Sequence, residues 1–266
     1  MIYDLQKASL MKRFSAFLLD LMLIMMLSVG FMLLISHITG YDQYSDQLQD
    51  RLTEIQNEHN IESIQKESGL IFNDYQYMLE EDRALIPDEV KEAYDACYDA
   101  INTDTTLVKL YETILSLSLL ICSFGILLAF LALEFLVPIL FKNGQTLGKK
   151  LFSIAVIRED CVKISTWVLF IRAILGKYTV GTMVPLLMLL MLMFGSAPLI
   201  PLAIILLILA LNAVTLITTR TNSLIHDKLA STAVVDLQSQ MIFESVEEMN
   251  EYKLRIHKEN AEKAQY

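Results

Sequence analysis

Residues 13–37 read RFSAFLLDLMLIMMLSVGFMLLISH, and between residues 14 and 35 the only charged side chain is Asp20. A helix needs about 20 mostly apolar residues to cross about 30 Å of hydrocarbon, so this run predicts a membrane-spanning helix. A carboxylate at such depth costs roughly 2.5–3.5 kcal/mol on insertion scales and normally faces protein or water with a partner. Any fold for this chain must therefore bring a partner to Asp20 within a bundle of further spans.

Composition points the same way. The chain is 54% hydrophobic and 20% charged, with positive mean hydropathy, which favours a membrane class over a soluble one. Its net charge of −10 is unevenly spread: residues 38–109 hold 17 Asp or Glu against 5 Lys or Arg, and the rest 14 acids against 16 bases. That asymmetry separates two aqueous faces and gives nucleic-acid binding no support. Cys97, Cys122 and Cys161 are too few and scattered for a disulfide framework. No CxxC or HExxH spacing occurs, so no metal or cofactor is expected, and no motif marks an enzyme. The first apolar run is too long for a signal-peptide core and no small-residue cleavage site follows it, which predicts a retained anchor.

Lys7, Lys12 and Arg13 precede the first span and place the N terminus in the cytoplasm by the positive-inside bias. Residues 38–109 are then external. There Leu48, Leu52 and Ile55, then Ile61 and Ile64, then Tyr94, Tyr98 and Ile101 have the spacing of amphipathic helices, and Pro87, Asp88 and Glu89 read as a helix start. This acidic insertion is either a solvated cap or a vestibule that concentrates cations. A second span is expected from about residue 111 to 141, with Glu134 inside it. The loop KNGQTLGKKLFSIAVIREDCVKIS follows, five bases against two acids, and fits the cytoplasmic side. Residues 151–157 have the pattern of a short strand, which Glu159 and Asp160 turn back toward residues 162–164.

Residues 166–178 are apolar but hold Arg172 and Lys177, which suits an interfacial helix with snorkelling cations. Residues 182–194 and 199–218 predict a hairpin of two spans, broken at Gly195, Ser196, Ala197 and Pro198. Four spans place both termini in the cytoplasm. Residues 232–235 carry a second strand pattern and residues 238–266 a charged helical tail. The expected divisions are 1–37 (cytoplasmic N terminus and first span), 38–109 (insertion), 110–236 (remaining membrane region) and 237–266 (tail).

Three pieces in this order, KRFSAFLLD, NGQTLGKKLFSIAVI and IHDKLASTAVVD, resemble the RDD family of membrane proteins, named for an arginine and two aspartates. By motif match these residues are Arg13, Asp20 and Asp227. The resemblance leaves out residues 38–109. It implies an integral protein of bacterial membranes, with transport the suggested activity and sodium/proton exchange proposed for some members.

Depth adds an independent argument. At 1.5 Å per helical residue, Asp20, Glu134 and Asn212 each lie about 10 Å inside the cytoplasmic ends of their spans. They predict a polar layer in which two crowded carboxylates raise each other's proton affinity and exchange a proton for a small cation. The plainer alternative is that Asp20 is neutralised by Arg13 or Arg172 and only holds the bundle together. The segment GQTLGKK lacks the GxxxxGK[ST] phosphate-loop spacing. Its glycines are expected to shape a turn, with Lys149 and Lys150 over anionic lipid headgroups at about 1 kcal/mol each. For His226 and Asp227 no motif places a nucleophile, so Asp227 is expected to cap its segment or pair with Lys149, Lys150 or Arg172. The expected fold is an all-α membrane protein of four transmembrane helices with an interfacial helix, an extracytoplasmic helical insertion and short cytoplasmic β elements. The expected function is that of a small-cation or proton-coupled transporter, for which a homo-oligomer is fitting. The competing class is a non-transporting scaffold or accessory subunit, binding a protein partner through residues 38–109 or the tail.

Overall fold

The computed structural model describes residues 5–194 and 198–263. Four helices are long and apolar enough to cross a bilayer: Leu10–Thr39, Thr105–Phe141, Thr166–Met193 and Leu199–Thr218. Met22, Met26, Leu33, Leu140, Leu206 and Ile217 on these helices are exposed. Apolar faces this extensive call for a lipid solvent, and a helix satisfies its own backbone there. The chain divides into two compact units, one of residues 5–31 and 123–263, the other of residues 32–122.

The second unit holds helices Tyr41–Glu58, Ile61–Ser68 and Asp88–Thr103, with single turns at Phe72–Tyr75 and Glu80–Arg83. The residues spaced at helical period in the sequence meet in one core. Ile55, Ile61, Phe72, Tyr75, Tyr94, Cys97 and Leu107 are buried there, with Leu48, Leu52, Ile64, Tyr98 and Ile101 packed against them. Phe72 stacks on Tyr98 at 4.3 Å and meets Tyr94 edge-on at 5.1 Å, two favoured aromatic geometries. The helix expected at Pro87 begins directly after it, with Asp88 and Glu89 in its first turn. The second long helix starts at Thr105, earlier than expected from hydropathy. Asp104 accounts for this: its carboxylate accepts the Leu107 N–H at 2.7 Å as an N-cap.

In the first unit, strands β1 (Ile154–Arg158) and β2 (Thr232–Asp236) pair antiparallel, with Val156 opposite Val234. The sequence suggested residues 162–164 as the partner of β1, and this is corrected. The Arg158 N–H bonds the Val162 carbonyl and Cys161 takes a left-handed φ of 67°, so the turn closes tightly and leaves a single bridge, Ile157 to Lys163. The distant strand wins because both strands are buried on both faces. Ile154, Val156 and Val234 pack on Ala8 and Ala16, while Ala155, Ile157, Ala233 and Val235 pack on Leu5, Leu237 and Ile242. Strands enclosed in this way read as continuous apolar runs.

The second and third long helices share an irregularity. Residues Leu131–Leu136 and Ile171–Met183 are π-helical, and each stretch runs up to a proline, Pro138 and Pro185. Proline removes an N–H and its ring clashes with the carbonyl four residues back. Widening the helix just upstream relieves that clash and re-satisfies the freed carbonyls. The same device joins residues 166–178 to the third long helix without a break, where the sequence suggested a separate interfacial piece. The hairpin break expected at Gly195, Ser196 and Ala197 lies outside the described residues; the flanking helices Val184–Phe194 and Leu199–Thr218 pack against each other. Ile24, Ala129 and Phe130, with Tyr178 against them, tie the first three long helices together. The tail forms helix Val246–Lys263, whose Met249 and Tyr252 pack on Cys161, Val162 and Phe243.

Candidate functional site

The short helix Leu147–Leu151 carries the centre of the site. Thr146 caps it, accepting the Lys149 N–H at 3.3 Å, and donates its own hydroxyl to Asp20 Oδ2 at 2.5 Å. The Gly148 N–H donates to Asp20 Oδ1 at 2.8 Å. Only glycine fits at residue 148: a Cβ there would lie 2.8 Å from Asp20 Oδ1 and still closer to the Ala16 carbonyl. The Lys149 Nζ donates to Thr146 Oγ1 at 3.0 Å and lies 3.6 Å from Asp20 Oδ2 and 3.9 Å from Glu134 Oε2. Lys177 reaches the other oxygen of Glu134 at 2.5 Å. The order is therefore Asp20, Lys149, Glu134, Lys177, alternating in sign.

Asp227 centres a second cluster in the same unit. Arg172 donates to its Oδ1 through Nη2 at 2.6 Å and Nε at 3.0 Å. Arg13 reaches its Oδ2 at 3.3 Å while donating to the carbonyls of Thr221 and Asn222 at 3.2 and 2.7 Å. The same Oδ2 accepts the Leu224 N–H and caps helix Ile225–Leu229. Burial disfavours ionised Asp227, but Arg172 first, and then Arg13, outweigh this and hold its carboxyl well below the usual carboxylate range. Burial pushes the neighbouring His226 imidazole down to about 3, against the opposing pull of Asp227, so it is neutral near pH 7. His226 packs so closely on the third long helix that a Cβ on Gly176 would lie 2.6 Å from its own.

These contacts redistribute the expected pairings. Asp20 and Glu134 converge on Lys149 rather than on each other. Arg13 and Arg172, both considered as partners for Asp20, go to Asp227. Asn212 is not in the layer: its amide donates to the Ile208 carbonyl and its oxygen accepts the Ile225 N–H, so it anchors the segment after the last span. Lys149 does not lie over headgroups but is buried, its side chain 8% exposed, because two carboxylates flank it. Lys150 lies over the Phe141 ring at 3.8 Å. Lys177 turns inward to Glu134 instead of snorkelling.

The sequence reading missed Thr146 and the inward role of Lys177. Arg172 and Lys177 are five residues apart, on different faces of an α-helix. In a helix bonded i to i+5 they share a face, and the signal for that widening was Pro185. A cavity of about 260 Å³ adjoins both clusters, with Arg13, Asp20, Lys149, Arg172, Lys177 and Asp227 in its wall.

Four long apolar helices around a buried, charge-alternating network define an integral helical membrane protein with an ionic core. The RDD family model matches residues 7–231, and the chain belongs to that family. No curated protein and no solved structure matches it.

Proposed function

We propose that this protein exchanges a small monovalent cation for a proton across the cell membrane. The observation that carries the reading is the setting of Lys149. Its ammonium sits among three side-chain oxygens, from Thr146, Asp20 and Glu134. Hard cations are bound by such oxygen sets, and the contacts of 3.6 and 3.9 Å are longer than the roughly 2.7–2.9 Å of a direct charge-assisted hydrogen bond. The ammonium thus occupies a cation site without being locked into it.

In the exchange, a metal cation enters among the three oxygens, Lys149 gives its proton to water, and the neutral amine swings aside. One positive charge replaces another, so the buried charge is conserved. Lys177 stays on Glu134, and the Arg13–Asp227–Arg172 cluster is the frame. The bias of Lys and Arg residues flanking the spans supports a reading in which this site and both termini face the cytoplasm. We assign no catalysis to the His226–Asp227 pair, since Asp227 is committed to two arginines.

In proteoliposomes holding a pH-sensitive dye, an inward gradient of sodium, lithium or potassium should alkalinise the lumen, and an outward gradient should acidify it. Asp20→Asn and Glu134→Gln should abolish the response. A wild type that moves no protons overturns the reading. A second reading, a non-transporting scaffold, is favoured by one observation: a cleft of about 610 Å³ in the second unit, walled by Leu48, Leu52, Ile101, Leu107, Val108, Tyr111 and Leu115. It becomes the better account if no cation is moved and crosslinking through residues 38–109 captures one stoichiometric protein partner.

A further inference from the structure

The two clusters do not balance. Among the described residues, Arg13, Lys149, Arg172 and Lys177 meet Asp20, Glu134 and Asp227, four cations against three carboxylates. Neutral His226 adds nothing to either side. An unmatched charge taken out of water is costly unless a counter-charge accompanies it. The cavity beside the clusters is where such a counter-charge has room. All four cations line it, together with Asp20 and Asp227.

Its size and remaining walls say what kind of anion fits. At roughly 30 Å³ per water in the liquid, about 260 Å³ is far more than a monatomic ion fills. The other lining residues include Leu10, Phe14, Phe17 and Leu216, and Leu10, Phe14 and Phe17 are each more than half exposed. They sit on the first long helix, whose apolar face requires lipid. One side of the cavity is therefore cationic and the other continues into a lipid-facing surface.

We propose that this cavity binds one anionic phospholipid, with its phosphate against the cationic wall and its chains leaving past Leu10, Phe14 and Phe17. The lipid completes the ionic core and sets the charge of the site at which Lys149 lies. This goes beyond the exchange reading and stands without it, because it concerns retention of a lipid and not movement of a cation.

The test is native mass spectrometry of the full-length protein released from nanodiscs of phosphatidylcholine doped with phosphatidylglycerol. The wild type should retain one phosphatidylglycerol in preference to phosphatidylcholine. Leu10→Trp and Leu216→Trp fill the cavity and leave every charge in place, and each should lower that retention severalfold. Lys177→Met should lower the preference for the anionic headgroup. Equal retention of the two lipids by the wild type overturns the proposal, whatever the variants do. So does unchanged retention in both tryptophan variants, or loss of the lipid on adding inorganic phosphate, which would assign the cavity to a free anion. Melting curves of the variants in detergent separate a filled cavity from a misfolded protein.

Discussion

Asp227 is the residue whose loss should cost most. It is fully buried and is the one carboxylate that Arg172 and Arg13 share, so Asp227→Asn leaves both guanidinium charges without their counter-charge in a poor dielectric. Breaking a buried pair from one side typically costs about 3–5 kcal/mol, and chemical unfolding in detergent should show a loss of that order; a variant as stable as wild type would contradict the role of Asp227 as the frame. His226 gives a pH signature. Its folded value of about 3 lies below the ordinary 6.5, so on acidification the unfolded chain takes up a proton that the folded one refuses. Stability is then full above about pH 6.5 and falls toward pH 3, by at most about 1.4 kcal/mol per unit. A melting series through that window should be shallower for His226→Gln, and parallel slopes would count against a buried neutral imidazole. At this scale the sequence told which residues mattered better than which met. Arg13, Asp20 and Asp227 stand out as charges in apolar or motif surroundings. Their pairing depends on where the Leu147–Leu151 helix lies, and nothing local in the sequence states that Lys149 turns inward while Lys150 does not.

The elements were legible where one period dominates. The first long helix and the insertion helices follow from apolar length and helical spacing, and the Pro87 start followed from its own chemistry. Three features were not. The partner of β1 lies 78 residues further along the chain, counting from Val156 to Val234, and a short apolar strand carries no label for its mate. The N-cap at Asp104 extends a helix beyond its hydropathy. The π-helical stretches come from proline relief, and they alone bring Arg172 and Lys177 to one face. Pro185→Ala removes the cause of the widening. The helix should then tighten toward α-geometry and carry Lys177 off Glu134. The variant should fold and insert, yet lose cation-driven proton movement; full activity would show that the widened helix is not what positions Lys177.

For the whole molecule, the membrane class and family were readable from composition and three short motifs; the four long apolar helices agree with the first and the family-model match with the second. The ionic core was readable only in outline. Depth placed Asp20 and Glu134 at one level, but the cations that pair with them come from a loop and from a helix expected at the interface. The central claim is that Lys149 holds the place of a transported cation. Metal binding to a site occupied by a proton carrier releases that proton. The direct measurement is therefore the proton count on adding sodium, lithium or potassium chloride to the purified protein in weakly buffered detergent, against choline chloride as the ionic-strength control. The account expects about one proton released per chain by the wild type and none by Lys149→Met. No release from the wild type, or an equal release from the variant, would contradict it.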